Sequence, residues 1–295
     1  MSKYKNLNRD SKYNVLLLGV NGRLGRNLAN IIKEQGKVNL FGTTRKKEHN
    51  NIYWEPNNES DLEKIILKVM PLAIINCIAL TNVDRCEEEE DLAYKINSDL
   101  PKLLVKLVKK HKIDSKIIHI STDQVYDSKN WSEVGTEKPI NIYSKSKLAG
   151  DKHIHNHKKG LILRTNFISN SKIDSPISWL KSKIESKKKF WLFDDIIFNP
   201  LEVKYLSKLI HSLLFRELYG IYNIGSSSSI SKSNFFFKVG KILDLDMSYA
   251  CTDSILNAKL AAKRPNIMTM SIKNFEKDFG RDMPSIKETI KLLFS

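Results

Sequence analysis

The sequence predicts an α/β protein: a doubly wound, mainly parallel sheet with a smaller C-terminal lobe. Three observations predict it. Short apolar runs alternate with segments of helical apolar spacing over residues 14–170. A glycine-rich turn joins the first apolar run to the first helical segment. The chain has 295 residues, enough for one large domain or for a domain and a smaller lobe. Together they indicate a Rossmann-type sheet.

The first half of the chain alternates between the two patterns. The predicted strands are 14–19, 38–43, 72–77, 116–121 and 161–164. The predicted helices are 22–35, 61–70, 91–111 and 142–157, and the first of these places Leu24, Leu28 and Ile31 on one face. Parallel strands need crossovers of this length, usually helices, so the alternation predicts helices on both faces of the sheet.

The pattern loosens in the second half. Helices are predicted over 176–188, 201–218, 231–243, 271–279 and 285–293, with extended segments over 190–193 and 221–224 and a serine-rich loop over 226–229. We therefore predict a polar N-terminal extension over 1–13, a Rossmann domain over 14–170 and a second lobe over 171–295. Some segments of that lobe are expected to return to the first domain.

Composition argues against a membrane-spanning, secreted or disulfide-bonded protein. The longest apolar runs, 15–18 and 72–80, fall short of the roughly 18–20 apolar residues that cross a bilayer. Residues 1–13 are polar and basic, without the apolar core of a secretory signal, so a cytoplasmic location is expected. Cys77, Cys86 and Cys251 form no C-x-x-C pair and suggest neither a disulfide framework nor a metal site. Cys77 is expected to be a small buried residue.

The chain is basic, with 49 Lys and Arg residues against 33 acidic residues and a formal net charge of +16. Such an excess can indicate nucleic acid, a membrane surface or an anionic small substrate as the partner. Here the lysines are scattered along the chain, which favours a solvated surface. We expect neither nucleic acid nor a membrane as a partner.

A G-x-x-G-x-x-G turn lies between the first predicted strand and helix. Glycines let the backbone turn sharply and approach a pyrophosphate, and the N–H groups of the helix N-terminus favour that anion. The turn therefore predicts a dinucleotide cofactor, and a glycine turn without a ligand is the alternative. The candidate cofactor-binding residues of the turn are Gly19, Asn21, Gly22, Arg23, Leu24 and Gly25.

The end of the second predicted strand selects between the two nicotinamide cofactors. An acidic residue there would bind the ribose hydroxyls of NAD, but the chain has Thr44 and Arg45, with no carboxylate before Glu48. Arg45 can form paired charge-assisted hydrogen bonds to a 2′-phosphate. NADP(H) is therefore the expected cofactor, and NAD(H) is the second choice. A solvated charge run over 45–47 is the alternative interpretation.

Tyr143 and Lys147 stand four residues apart in the helix predicted over 142–157, so they share a face. A free tyrosine has a pKa of about 10, and a nearby ammonium lowers that pKa. Such a pair can give a proton to a carbonyl oxygen or take one from an alcohol. Thr122, at the carboxyl end of a predicted strand, can hydrogen-bond the same oxygen. The alternatives are a surface Tyr–Lys pair and a threonine that caps a local turn.

These residues lie in longer segments that resemble the extended short-chain dehydrogenase/reductase superfamily and, within it, the dTDP-4-dehydrorhamnose reductase family. The resemblance covers most of residues 14–169, and its STDxVYD and PxNxYxxSKxxGD strings are specific. The segments that carry it are LGVNGRLG (18–25), IINCIALTNVDRCE (74–87), AYKINSDLP (93–101), IHISTDQVYD (118–127), EKPINIYSKSKLAGD (137–151) and LRTNFI (163–168).

The resemblance implies catalytic roles that agree with this chemistry: Tyr143 as general acid, Lys147 as the group that lowers its pKa and holds the nicotinamide ribose, and Thr122 as the third member. It also implies further cofactor contacts and a substrate-binding C-terminal lobe. The further cofactor-binding candidates are Ala79, Thr81 and Asn97, and the substrate-binding candidates are Asp123, Gln124, Asn166, Phe167 and Arg264. Arg264 could equally be a salt-bridged structural arginine.

We therefore expect an NADPH-dependent reductase of a nucleotide-linked 4-keto-6-deoxy sugar, in surface polysaccharide or glycan synthesis. Gln124, Phe167 and residues 128–131 depart from the family pattern near the sugar pocket, which leaves the sugar and its nucleotide carrier open. A sugar epimerase of the same superfamily is the first alternative, and a non-catalytic NADP-binding regulatory subunit is the second. Many relatives are dimers, so a homodimer is considered, although the sequence shows no decisive interface feature.

Overall fold

The computed structural model describes residues 13–48, 51–56, 58–127, 129–169 and 175–295. The extension predicted over 1–13 lies outside the described residues except for Tyr13, and Ser128 lies outside them as well. The strands, in chain order, are β1 (Tyr13–Leu18), β2 (Val38–Thr44), β3 (Ile52–Tyr53), β4 (Ala73–Asn76), β5 (Lys116–Thr122), β6 (Gly160–Thr165), β7 (Phe167–Ile168), β8 (Phe190–Phe193), β9 (Ile197–Phe198), β10 (Leu201–Glu202), β11 (Gly220–Ile224), β12 (Ile230–Ser231), β13 (Ala250–Asp253) and β14 (Ile267–Met268). The α-helices are α1 (Arg23–Gln35), α2 (Glu59–Val69), α3 (Val83–Glu88), α4 (Glu90–Tyr94), α5 (Leu100–Lys110), α6 (Ile142–His155), α7 (Pro176–Glu185), α8 (Val203–Leu213), α9 (Lys232–Ile242), α10 (Lys273–Phe279) and α11 (Ile286–Leu292).

The central sheet of the described chain has the strand order β11-β6-β5-β4-β1-β2-β3, and every neighbouring pair is parallel. The strand order reverses between β1 and β4, which pair from Val15–Ala73 to Leu18–Asn76. At such a switch point the connections leave to opposite faces and open a crevice at the carboxyl ends of the strands. The predicted Rossmann-type fold is confirmed.

Alternate residues of β1 enter different cores, as the two-residue repeat of a strand requires. Leu17 packs on one face with Leu28 of α1 and with residues of α8 and α10. Leu16 and Leu18 pack on the other face with Leu62 of α2 and with residues of α5. Both faces of the sheet are therefore covered by helices, as an all-parallel sheet requires. No helix within the described residues is long and apolar enough to cross a membrane.

Parts of the second half complete the first core. Strand β11 extends the sheet beside β6, and Ile210 of α8 and Phe275 of α10 are buried in the same cluster as Leu17. The remaining segments surround a separate cluster that includes Leu180 and Phe235. Strand β10 pairs with β7, directly after β6, and so joins this second cluster to the carboxyl edge of the sheet.

The long helix predicted over 91–111 is interrupted. Helix α4 ends at Tyr94, a π-helical turn covers Lys95–Asp99, and α5 starts at Leu100, whose N–H donates to Lys95 O. Pro101 stands in the first turn of α5 and has no N–H to continue the ordinary helical ladder. The widened turn follows from that missing donor and carries Asn97 toward the preceding loop.

The helix predicted over 201–218 is shorter at both ends. Leu201–Glu202 form β10, and the Glu202 side chain caps α8 by accepting the Tyr205 N–H over 2.7 Å. The extended segments predicted over 190–193 and 221–224 are confirmed as β8 and β11. Segments of two to six residues show too little periodicity to identify, and those that were not predicted are β3, β7, β9, β10, β12, β13, β14 and α3.

Candidate active site

A cleft of about 440 Å³ opens at the carboxyl ends of β1, β4, β5 and β6. The loops that follow these strands meet there because parallel strands all end at the same edge of the sheet. The lining residues are Gly22, Arg23, Leu24, Gly25, Cys77, Ala79, Thr81, Ile120, Ser121, Thr122, Asp123, Gln124, Tyr143, Lys147, Thr165, Asn166 and Phe167.

The glycine turn forms one end of this cleft. Gly19 has φ +84°, a conformation that L side chains rarely adopt, and its carbonyl accepts the Gly22 N–H over 3.0 Å. A Cβ on Gly25 would overlap that same carbonyl, so only glycine lets α1 approach the turn. Gly22 is the N-cap of α1 without a side-chain hydrogen bond, and the first turn of α1 holds no acidic residue. The turn therefore fits a pyrophosphate, which the amides of an uncapped helix start can bind.

The end of β2 lies against the glycine turn. Asn21 Nδ2 donates to Thr44 Oγ1 over 2.8 Å and to Glu48 Oε1 over 3.1 Å, and Arg45 is exposed beside them. Hydrogen bonds from Asn51 and Asn21 hold the pKa of Glu48 below its usual value. The structure thus brings Asn21 and Thr44 into contact with Arg45 next to them, and it adds the carboxylate of Glu48 at the same corner.

Asn97 holds the wall of the cleft without lining it. Its side chain accepts the Leu80 N–H over 2.9 Å, donates to Leu80 O over 3.1 Å and donates to Ser146 Oγ over 3.1 Å. Asn97 is fully buried, whereas Ala79 and Thr81, on either side of Leu80, face the cleft. The structure therefore gives Asn97 a supporting position rather than a place in the lining.

Tyr143 and Thr122 face each other across the cleft from α6 and the end of β5. Helix α6 starts in a capping box in which Asn141 and Ser144 exchange hydrogen bonds, and this fixes the first turn that carries Tyr143. Burial raises the pKa of Tyr143 well above its usual value, and a hydrogen bond from Thr122 opposes that rise. Thr122 also caps the short turn after β5 by accepting the Gln124 N–H over 3.2 Å. Thr122 therefore caps this turn and also hydrogen-bonds Tyr143.

Lys147 lies one turn along α6 and is 1% exposed. Its Nζ donates to Ile120 O over 2.7 Å and lies 3.2 Å from His119 Nε2. Burial lowers the pKa of Lys147 to about 8, although the nearby carboxylate of Asp151 opposes that shift. The Tyr–Lys pair is thus part of a buried site, not a surface pair.

The substrate-binding candidates after β5 and β6 form the other wall of the cleft. Asn166 Nδ2 donates to Asp123 Oδ2 over 2.7 Å, and burial raises the pKa of Asp123. Gln124 Oε1 is buried without a hydrogen-bond partner among the described residues, which leaves an acceptor for a bound ligand. Phe167 adds an apolar surface beside Asn166.

Arg264 lies outside the lining of the cleft. Its guanidinium pairs with both carboxylate oxygens of Asp84, at 2.8 Å and 3.1 Å. Half-buried Lys232, the first residue of α9, lies near it: burial lowers the pKa of Lys232, Asp123 raises it, and Arg264 lowers it further. Arg264 is therefore a residue salt-bridged to Asp84, and Lys232 lies near both Arg264 and Asp123.

Sequence reasoning missed several residues of the site. Ile120, Ser121 and Thr165 line the cleft and could have been identified as the last residues of parallel strands. Cys77, expected to be an inert buried residue, also borders the cleft, and burial raises its pKa to about 12, so it is a protonated thiol. His119 and Lys232 gave no local signal.

Comparisons with known proteins agree with this geometry. Residues 13–295 match the family model described as the RmlD substrate binding domain. The solved structure of dTDP-4-dehydrorhamnose reductase from Bacillus anthracis in complex with NADP superposes with a TM-score of 0.87, at 26% identity over 96% of this chain and 99% of that chain.

Curated relatives are similar over most of their length. The probable low-salt glycan biosynthesis reductase Agl14 of Haloferax volcanii is 25% identical, over 93% of this chain and 95% of that protein. The dTDP-4-dehydrorhamnose reductase of Shigella flexneri is 21% identical, over 96% of this chain and 97% of that protein. The spore coat polysaccharide biosynthesis protein SpsK of Bacillus subtilis is 28% identical, over 74% and 75% of the two chains.

Proposed function

The chain belongs to the family of the RmlD substrate binding domain, and from that membership we propose that it is an NADPH-dependent reductase of a nucleotide-linked 4-keto-6-deoxy sugar. The observation that carries the proposal is the buried Tyr143–Lys147 pair, which faces Thr122 in the same cleft as an uncapped glycine turn. The names of the relatives support a role in glycan or polysaccharide synthesis.

The proton chemistry follows from the three catalytic side chains. The cofactor supplies a hydride when it is bound. Tyr143 donates its phenolic proton to the oxygen that gains negative charge. The Thr122 hydroxyl, already hydrogen-bonded to the phenol, orients the same oxygen. The charge of Lys147 stabilises the phenolate that remains.

The glycine turn and Arg45 support NADP(H) as the cofactor, and NAD(H) is the second choice. The uncapped start of α1 would hold the pyrophosphate. Arg45 would pair with a 2′-phosphate, while Glu48 would favour a free ribose hydroxyl at the same corner. The Bacillus anthracis relative binds NADP, which supports the first choice.

The substrate contacts proposed are Asp123, Gln124, Asn166 and Phe167, which line the cleft. Lys232 places positive charge near Asp123, where a diphosphate would be stabilised. Gln124 offers an unpaired acceptor to a sugar hydroxyl.

The test is NADPH oxidation by the purified protein with a panel of nucleotide-linked 4-keto-6-deoxy sugars. The Tyr143→Phe variant is expected to lose about 10²- to 10⁴-fold in kcat, the usual contribution of a general acid, while it still binds NADPH. Tyr13→Phe is the matched control, because Tyr13 opens β1 at the opposite edge of the sheet. If no member of the panel is reduced while NADPH binds, the reductase is rejected in favour of the regulatory-subunit alternative.

The assembly and location stay predictions. Light scattering of the purified protein would give the 34.0 kDa monomer or twice that mass for the homodimer. Cell fractionation would check the cytoplasmic location.

A further inference from the structure

His119 lies on β5 beside Lys147 and is fully buried. Its Nδ1 is 3.1 Å from Asn76 Nδ2 at the end of β4, and its Nε2 is 3.2 Å from Lys147 Nζ. Both ring nitrogens therefore have one polar neighbour each. These neighbours decide which nitrogen carries the proton.

Asn76 determines the tautomer. Its amide is oriented by Ile78, whose N–H donates to Asn76 Oδ1 over 3.1 Å, so Nδ2 is the atom that faces the ring. An amide nitrogen only donates, so Nδ1 of His119 accepts and carries no proton. Burial and the charge of Lys147 hold the pKa of His119 well below its usual value, so the ring is neutral. Its single proton is therefore on Nε2.

An N–H that faces Nζ is a poor partner for an ammonium and a good one for an amine. An ammonium has three donors and no acceptor, and one of these donors is used by Ile120 O. A neutral amine keeps a lone pair that can accept the proton of His119 Nε2. The carboxylate of Asp151 cannot take that proton instead, because Oδ1 lies 3.8 Å away, beyond hydrogen-bond distance.

Three other side chains near Lys147 bear on its charge state: Asp151, Cys77 and Tyr143. Asp151 favours the ammonium, and its charge is shared with Arg164, whose Nε lies 2.9 Å from Asp151 Oδ2. Cys77 is a neutral thiol, because burial raises its pKa to about 12. Tyr143 shares the helix face and is neutral for the same reason. Burial is the effect that lowers the pKa of Lys147, and the Nε2–H of His119 is the adjoining contact that an ammonium cannot use.

We propose that His119 is a positioning residue for the reaction: its Nε2–H stabilises the neutral amine of Lys147, so that Lys147 releases and regains a proton in each turnover. The proposal rests on the proposed reductase function. In one cycle the phenol of Tyr143 gives its proton to the substrate oxygen, the ammonium of Lys147 is the source of the proton that restores the phenol, and solvent reprotonates the amine. The proton that the substrate gains is thus replaced by one proton from solvent in each cycle.

Histidine ¹⁵N NMR of the full chain measures which ring nitrogen of His119 carries the proton, without any turnover. The resonances that vanish in His119→Gln belong to His119. We expect a protonated Nε2 and an unprotonated Nδ1 throughout the neutral pH range. A proton on Nδ1 would overturn the proposal. Because this measurement needs no substrate, it decides the tautomer even if the proposed activity fails.

The pH dependence of kcat tests whether His119 affects the ionisation of Lys147. His119→Gln removes the N–H and offers an oxygen to the ammonium, so the ionisation of Lys147 should move to higher pH by about one unit. His155→Gln is the matched control, since His155 is exposed at the end of the same helix, and its profile should equal that of the wild type. An unchanged profile in His119→Gln, with stability alone reduced, would show a purely structural histidine and overturn the proposal.

Discussion

At Tyr143 two effects on the phenol oppose each other. Burial raises its pKa and is the larger effect, while the hydrogen bond from Thr122 lowers it. The phenol therefore keeps its proton at neutral pH, which is the state needed to protonate a substrate oxygen. The reverse reaction, oxidation of an alcohol, needs the phenolate instead. The protonated phenol is the form that a reduction uses.

Arg45 is proposed to carry the preference for NADP(H). Arg45→Ala should raise KM for NADPH by about 10- to 100-fold, because a charged hydrogen bond contributes about 1.5–3 kcal/mol. KM for NADH should change little. Lys47→Ala removes the same charge two residues away and serves as the control. Steady-state kinetics with both cofactors would measure this, and equal losses for NADPH and NADH would refute the role of Arg45.

Lys232 is predicted to bind the anionic part of the substrate. Lys232→Met should raise KM for the sugar nucleotide by about 10- to 100-fold with little change in kcat, because only binding charge is lost. Lys238→Met, at an exposed position of the same helix, is the control. A fall in kcat with KM unchanged would count against a binding role.

Helix α6 and the π-helical turn depend on close contact of their backbones. A Cβ on Gly150 would overlap Asn97 O and meet the Pro101 ring, so no other residue fits there without a shift of the turn. That contact places Asn97 between Leu80 and Ser146. The wall of the cleft over 79–81 is thus held by the packing of one helix on an irregular turn.

Gly150→Ala is therefore expected to destabilise the protein by about 1–3 kcal/mol, the usual cost of overpacking. Urea unfolding would measure the loss, and Lys145→Ala, exposed on the same helix, should leave the midpoint nearly unchanged. KM for the cofactor should also rise, since Ala79 and Thr81 shift with Leu80. If Gly150→Ala is as stable as the wild type, the π-helical turn can shift to accommodate the added Cβ and the prediction is wrong.

The two halves of the chain share the core beneath α1, because α8 and α10 cover that face of the sheet and β11 extends the sheet beside β6. A fragment of residues 1–170 would leave that face open to water. We expect the fragment to lack a cooperative urea transition, while the full chain shows one. Circular dichroism of both chains would test this, and a sharp transition in the fragment would establish an independent first domain.

Lys116 connects the two halves of the chain at the amino ends of the strands, opposite the cleft. Its buried Nζ donates to Leu213 O and Arg216 O, each over 2.8 Å, and burial lowers its pKa to about 8. The unfolded chain has the ordinary pKa of about 10.4 and so binds more protons between these two values. Stability should therefore rise as pH increases from about 8 to about 10, by at most about 3 kcal/mol from this group.

Urea midpoints across that pH range would measure the rise, with Lys116→Met as the comparison. The variant should be less stable at neutral pH, because two carbonyls lose their donor, and it should lack this part of the rise. An equal rise in both proteins would assign it to other lysines, such as Lys147.

The sequence by itself determined the features that repeat over short distances. The alternating strands and helices, the turn from Gly19 to Gly25 and the shared face of Tyr143 and Lys147 all follow from local spacing and from the conformational range of glycine. Arg45 was identified in the same way, by its position after a strand. A two-residue strand or a π-helical turn has no such repeat and left no signal.

The tertiary structure alone decided which distant side chains meet. His119 contacts Lys147, Arg264 pairs with Asp84 and Lys232 lies near Asp123, although each pair is far apart in the chain. Such contacts depend on which strands are neighbours and on how the second half folds back over the sheet. Local propensity carries no information about either, because the free energy that selects them comes from burial and pairing across the whole molecule.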